Sequence, residues 1–350
     1  MRDVAVVAFA QSPSVRREQR RNEVEMLMPV VGEALQRAGM TMDDIGFTCS
    51  GSSDYLAGAP FSFVSALDAI GPWPPIQESH VEMDGAWALY EAWVRLQHGD
   101  IDTALVYAFG KSSPGPIGEV LALQLDPYLV TPLWPDAVSL AALQARLLLE
   151  DGVTEADMAG VAARSRRSAK DNPNAQVAGD FEVDALLAEP YIADPLRKHD
   201  CPPISDAAAV VVLAAGDAAT KAAERPAWIQ GIDHRIDAQS LGARDLLRSP
   251  STSLAGEGAG AYAGSVEVAE LHAPFTHQEL VLRRELRLGD DVLINPSGGA
   301  LAANPVMAAG LIRIGEAAAR VMDGSAGRVL AHATSGPCLQ QNLVCVMEAN

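Results

Sequence analysis

Two adjacent glycines at a strand-to-helix joint are the residues whose type and spacing first suggest chemistry. Asp291-Val-Leu-Ile294 reads as a short strand, Asn295-Pro-Ser-Gly-Gly299 as the joint, and Val306 to Val321 as a helix. Without Cβ atoms at Gly298 and Gly299, backbone N–H groups can approach a polar or anionic acyl group closely. The same joint also serves as a tight turn that packs helix against sheet, and the glycines alone leave both readings open. A histidine closes another strand, Glu270-Leu-His272, and a polar turn, Thr334-Ser-Gly336, follows a third, Arg328-Val-Leu-Ala-His332. A strand-end histidine offers acid–base chemistry, or is a hydrogen-bonded structural residue. The four cysteines, Cys49, Cys201, Cys338 and Cys345, show no C-x-x-C spacing, so no metal is expected.

The elements that must position these residues need a large core, and 350 residues with 49% hydrophobic content supply one. A net charge of −19 argues against a nucleic-acid partner. No apolar run approaches the roughly 20 residues of a membrane span. A strand begins at Val4, so no signal peptide is visible, and reduced thiols in a cytoplasmic protein are expected.

Val4 to Phe9 is apolar throughout, as in a strand buried on both faces. After a basic loop, Arg16 to Arg21, Asn22 and Glu25 form a capping-box pattern for a helix that Gly39 stops. Pro29 is expected to kink that helix or delay its start. Ile45 to Cys49, Thr103 to Ala108, Ile204 to Leu213, Ala227 to Gly231 and Val266 to His272 read as further strands. Helices are expected over Ala86 to Gln97, Ser139 to Glu150 and Gln278 to Leu288.

A repeat joins these elements. Gly85, a helix, His98-Gly-Asp100, a strand and Gly110 are matched by Gly298-Gly299, a helix, Asp323-Gly-Ser325, a strand and Gly336. It predicts two similar α/β halves, 1–218 and 219–350, packed pseudo-symmetrically. The first carries an insertion over about 111–203 that is rich in proline, aspartate and isolated helices. Its basic stretch, Val161 to Lys170, presents Arg164, Arg166, Arg167 and Lys170 and reads as a solvated helix face.

The order and spacing of these motifs resemble the thiolase superfamily across essentially the whole chain, most closely the sterol-carrier-protein type. That family carries an N-x-x-G-G…G-H-P loop, an E-L-H-D-x-F segment and a C-terminal Cys-Gly turn. The resemblance implies an αβαβα layered fold whose loop domain covers the active site and contributes to the CoA site, which would make Arg164, Arg166, Arg167 and Lys170 phosphate contacts. It also implies an acyl-CoA substrate or ligand with no other cofactor, and a CoA or substrate site at Asn295, Ser297, Gly298, Gly299, Ser335 and Gly336. Matched residue by residue, the chain departs from the family. Glu82 stands where the nucleophilic cysteine belongs, in a C-x-x-G pattern counted back from Gly85. Ala273 follows His272, and Asn304 replaces the G-H-P histidine. Ser335 and Gly336 stand near the second cysteine's place, with Cys338 two residues beyond Gly336.

Thiolysis through an acyl-cysteine needs a thiolate, so standard thiolase activity is not expected. Three readings remain. One is atypical carbon–carbon bond chemistry on an acyl-CoA in lipid or steroid degradation, an aldol or retro-aldol step with Glu82 as base, His272 as its partner and Asn304 as donor. Glu82 would then sit at a helix N-terminus and need burial to act near neutrality. The second is a catalytically silent subunit of an acyl-CoA complex. The third is a lipid-binding or lipid-transfer module. The expected assembly is a homodimer, or a heteromer with another thiolase-like chain, a small acyl-CoA-binding OB-fold protein, or both.

Overall fold

The computed structural model describes residues 2–349. Among these residues there are twelve strands: β1 (Val4–Gln11), β2 (Phe47–Gly51), β3 (Glu78–Val81), β4 (Thr103–Lys111), β5 (Tyr191–Ala193), β6 (Leu196–Arg197), β7 (Asp206–Ala215), β8 (Ala227–Ile236), β9 (Val268–Leu271), β10 (Leu293–Ile294), β11 (Arg328–Ser335) and β12 (Gln341–Glu348). Ten of them run in the order β10-β9-β11-β12-β8-β1-β7-β4-β2-β3. From the centre outwards each half repeats one pattern. β1 pairs antiparallel with β7, β7 antiparallel with β4, then β4, β2 and β3 run parallel. In the other half β8 pairs antiparallel with β12, β12 antiparallel with β11, then β11, β9 and β10 run parallel. The halves meet where β1 lies antiparallel to β8, with Ala5 opposite Trp228 and Val6 opposite Ala227.

Five layers result, and the side chains show why. Alternate residues of a strand face opposite ways. Val4 and Val6 of β1, Val106 of β4, Ala331 of β11 and Leu343 of β12 point inward to one core. Two helices fill it, Gly85–His98 and Ala309–Met322, through Leu89, Leu96, Leu311 and Ile314. Ala5, Leu105 and Val210 point the other way, onto the helix Glu23–Ala38. Leu271, Leu330 and Val344 face the helices Pro250–Gly258 and Thr276–Glu285. The chain is therefore α/β with the αβαβα stacking and paired halves expected of a thiolase-like fold.

Local expectations fared unevenly. Asn22 and Glu25 form the capping box, and Gly39 closes the helix in the left-handed conformation. Pro29 does not delay the start at Glu23; it lies inside the helix on the exposed face, where water can meet the carbonyl it leaves unbonded. The helix expected from Val306 begins at Ala309, after a separate turn of helix, Gly299–Ala302. β12 was not foreseen. Between β4 and β7 the insertion forms helices, including Ala137–Glu150 and Glu155–Ser168. Among the described residues no helix is long and apolar enough to cross a membrane.

Candidate functional site

A cavity of about 670 Å³ opens at the carboxyl ends of the parallel strands. Ser53 and Tyr55 follow β2, Glu82 to Asp84 follow β3, His272 follows β9, and Thr334 to Gly336 end β11. Ligands of open parallel sheets bind at that end. Apolar walls come from the insertion and from the second half: Leu121, Leu125, Leu140, Phe275, Val306 and Leu339. Three lining residues, Met307, Cys338 and Leu339, hold left-handed backbone at φ 79°, 52° and 58°. Such strain in residues with a Cβ gathers at functional sites.

One chain of hydrogen bonds organises the polar end. The Thr334 N–H donates to His272 Nδ1 at 3.4 Å, which makes Nδ1 the acceptor and places the ring proton on Nε2. Nε2–H then donates to Asn304 Oδ1 at 2.9 Å. That fixes the amide, so the Asn304 NH2 group is the end left over. Among the described residues no protein acceptor takes it, and Asn304 lines the cavity. Burial holds His272 neutral, with its pKa down to about 4, the Asn304 bond acting the other way and Arg313 adding to the depression. A neutral imidazole thus sets the direction of a hydrogen-bond donor.

Glu82 lies on the wall but outside the helix. The helix begins at Gly85 with Asp84 as its N-cap, and Glu82 is exposed, its Oε1 accepting from the Asp54 N–H at 2.6 Å. Contrary to expectation it is neither buried nor at a helix N-terminus, and it meets a ligand as an exposed carboxylate on the cavity wall. Asp84 is the residue that sequence reasoning passed over. Its Oδ1 accepts from the N–H of Ala86 at 2.9 Å and of Leu311 at 3.0 Å, and its Oδ2 from Gly310 at 2.9 Å. One buried carboxylate therefore caps both central helices. A Cβ on Gly310 would lie 2.5 Å from Asp84 Oδ1, so only glycine lets the second helix come this close. Burial raises its pKa to about 6, against the three N–H bonds and Arg313. An aspartate directly before an apolar helix is an N-cap signature that could have flagged it.

The glycine joint does not reach the cavity. Asn295 turns inward at φ 49°, its Oδ1 accepting from the Leu271 N–H at 2.6 Å and its Nδ2 donating to Glu279 at 3.0 Å. Ser297 bonds Glu270 through its N–H at 2.9 Å and its hydroxyl at 2.7 Å. A Cβ on Gly298 would lie 2.6 Å from the Ala169 side chain, and one on Gly299 2.8 Å from Asn295. The Gly298 carbonyl accepts from Ser165. Gly298 thus packs the insertion onto the second half, while Asn295, Ser297 and Gly299 brace the turn within that half, which is the tight-turn reading. Of the six expected substrate or CoA contacts, Ser335 and Gly336 line the cavity.

The basic stretch is also occupied. Arg164 pairs with Glu279, Arg167 and Lys170 with Asp180, and Arg166 stacks over Phe181 at 4.9 Å. None of the four lines the cavity. Of the four cysteines, Cys338 does. Its Sγ–H donates to the Leu140 carbonyl at 3.6 Å, among Ala122, Leu125 and Leu140, and burial pushes its pKa up to about 11. A thiol held protonated is a poor nucleophile.

No protein-family model matches the chain. An acetyl-CoA acetyltransferase of Methanothermobacter thermautotrophicus is 30% identical over 207 residues, 51% of this chain and 53% of that protein. The benzoylsuccinyl-CoA thiolase subunit BbsB of Thauera aromatica is 25% identical over 228 residues, 56% and 59% of the two chains. The chain thus matches little more than half the length of these relatives. An acetyl-CoA acetyltransferase of Methanocaldococcus jannaschii is 24% identical over 349 residues, 90% of this chain and 89% of that one. Among solved structures, an Ltp2-ChsH2(DUF35) aldolase superposes with a TM-score of 0.80 at 18% identity, over 99% of this chain and 98% of that one. The human mitochondrial 3-ketoacyl-CoA thiolase does so with 0.78 at 15%, over 100% and 99%. With the fold repeated in both halves and the cavity at the strand ends, these likenesses give the chain a thiolase-like fold and similarity to curated acetyl-CoA acetyltransferases.

Proposed function

We propose that the protein binds an acyl-CoA thioester and carries out an aldol or retro-aldol step on it, in place of thiolysis. The observation that carries this reading is the Asn304 NH2 group, aimed by His272 and Thr334 into a cavity where, among the described residues, the one cysteine is Cys338, a buried thiol that burial keeps protonated. In the cleavage direction the 3-hydroxyl proton of a 3-hydroxyacyl-CoA passes to Glu82, which acts from the exposed cavity wall as a carboxylate in exchange with water and not as the buried base first expected. The C2–C3 bond breaks, its electron pair forms an enolate, and C3 leaves as a carbonyl compound. Asn304 donates to the thioester oxygen as charge develops there. His272 is a positioning residue. The apolar walls suit a branched or steroid-like acyl group, in keeping with a role in lipid or steroid degradation.

The reading includes association. β3 and β10 leave open edges on the sheet, and the aldolase neighbour's own name has two components. A dimer, or a complex with a second thiolase-like chain or a small OB-fold protein, is part of the proposal. The test is turnover of branched 3-hydroxyacyl-CoA thioesters, by the chain alone and with such partners added. Asn304→Ala is expected to lower kcat by roughly 10²–10³-fold, the usual loss for one oxyanion donor, and Cys338→Ala to leave kcat unchanged. Acetoacetyl-CoA thiolysis that Cys338→Ala abolishes would make the protein an ordinary thiolase. No turnover under any of these conditions would make it the silent subunit.

A further inference from the structure

We infer that Asp84 is the acid–base group that carries a proton to and from C2 of the bound acyl-CoA, an inference that rests on the enolate chemistry proposed above. Cleavage moves two protons. One leaves the hydroxyl, and one must reach C2 of the enolate. Glu82, exposed at the wall, faces the first task; the second needs a group beside the thioester carbonyl.

The geometry places Asp84 there. It lines the same cavity as Asn304, and the short segment that carries Asn304 at one end delivers the Gly310 and Leu311 N–H groups to Asp84 at the other. The Gly85 N–H donates to the Met307 carbonyl at 2.8 Å, tying this segment to the Asp84 turn. A carboxylate has about four acceptor positions. Backbone N–H groups fill two on Oδ1 and one on Oδ2, which leaves one on Oδ2 for a proton.

Two carboxylates in unlike surroundings then take unlike roles. Arg313 acts on Asp84 through space, and Glu82 and His272 share its cavity wall. The balance toward the protonated form, with a pKa of about 6, suits an acid that works near neutrality. In the cleavage direction the Asp84 proton goes to C2 and the enolate electron pair forms the new C–H bond. In reverse, Asp84 takes the C2 proton and the electron pair moves onto the thioester oxygen held by Asn304.

The half-reaction can be read without the hydroxylated substrate, by NMR of octanoyl-CoA in deuterium oxide. The wild-type protein is expected to exchange the C2 protons, and Asp84→Asn to slow this by roughly 10²–10⁴-fold, the size of an acid–base contribution. Asp84→Glu should keep part of the rate with its pH dependence displaced. Circular dichroism checks the folding of each variant. If Asp84→Asn does not fold, the displaced profile of Asp84→Glu supports the assignment and an undisplaced one overturns it. Full exchange by a folded Asp84→Asn, or none by the wild type, also overturns it. Exchange that depends on Asp84 without cleavage of any hydroxyacyl-CoA keeps this assignment and defeats the proposed reaction. Cleavage indifferent to Asp84 does the reverse.

Discussion

Replacing Arg313 by leucine is expected to lower the unfolding free energy by about 3–5 kcal/mol, the cost of breaking a buried ion pair on one side. Arg313 Nη1 donates to Glu270 Oε2 at 2.8 Å, and both side chains are almost wholly buried. Glu316 lies close by, accepting from Gln11 and Asn172, and burial and the Glu270 charge both raise its pKa. One guanidinium therefore offsets two carboxyl groups, and its loss leaves Glu270 charged in the interior with only Ser297 as a donor. Guanidinium chloride melts of Arg313→Leu, read against the double variant Glu270→Leu/Arg313→Leu, measure the effect. The double variant should recover much of the loss, because removing both partners is often close to neutral. A single variant as stable as the wild type would show that the pair contributes nothing.

Acid should destabilise the protein before most carboxylates titrate. His272, His277 and His332 are buried, and burial lowers their pKa values to about 4, 3 and 3 from an ordinary 6.5. The unfolded chain binds these protons first. The stability they contribute is complete above pH 6.5 and is lost as the pH falls toward their folded values. Each histidine accounts for about 1.4 kcal/mol per pH unit inside that window. Asp84 has the opposite sign. Its folded pKa of about 6 lies above the ordinary 3.8, so its contribution grows as the pH falls through 6. The net is about two protons, or about 3 kcal/mol per pH unit, between about pH 6 and pH 4. Denaturant melts at a series of pH values check this. A flat profile from pH 6.5 to 5 would mean that these histidines are charged in the folded state.

The repeat of glycine, helix, turn and strand made the paired halves legible in the sequence, because each half must bury its helix against its own strands. The capping box at Asn22 and Glu25 was legible for a local reason: both partners lie within one turn. The glycine joint was legible as a joint but not in its duty. Gly298 and Gly299 give room to Ala169 and Asn295, contacts with residues distant in the chain or folded back on the loop. Asn304 was reached only by matching motifs. Its donor role needs Thr334 and His272, which strand pairing brings near. Asp84 escaped because the count from Gly85 fell on Glu82, and nothing local announces that a helix more than two hundred residues on will share its cap. β12 was not legible although Leu343 to Met347 is an apolar run, because so short a run fits a buried strand and a buried helix segment equally.

The seam between β1 and β8 is two residue pairs wide, while the central helices bury their sides against strands of both halves. The two halves are thus joined through their shared helical layer far more than through the sheet. Either half alone would present a wet, oily face the length of a helix, so neither is expected to hold its shape once cut from the other.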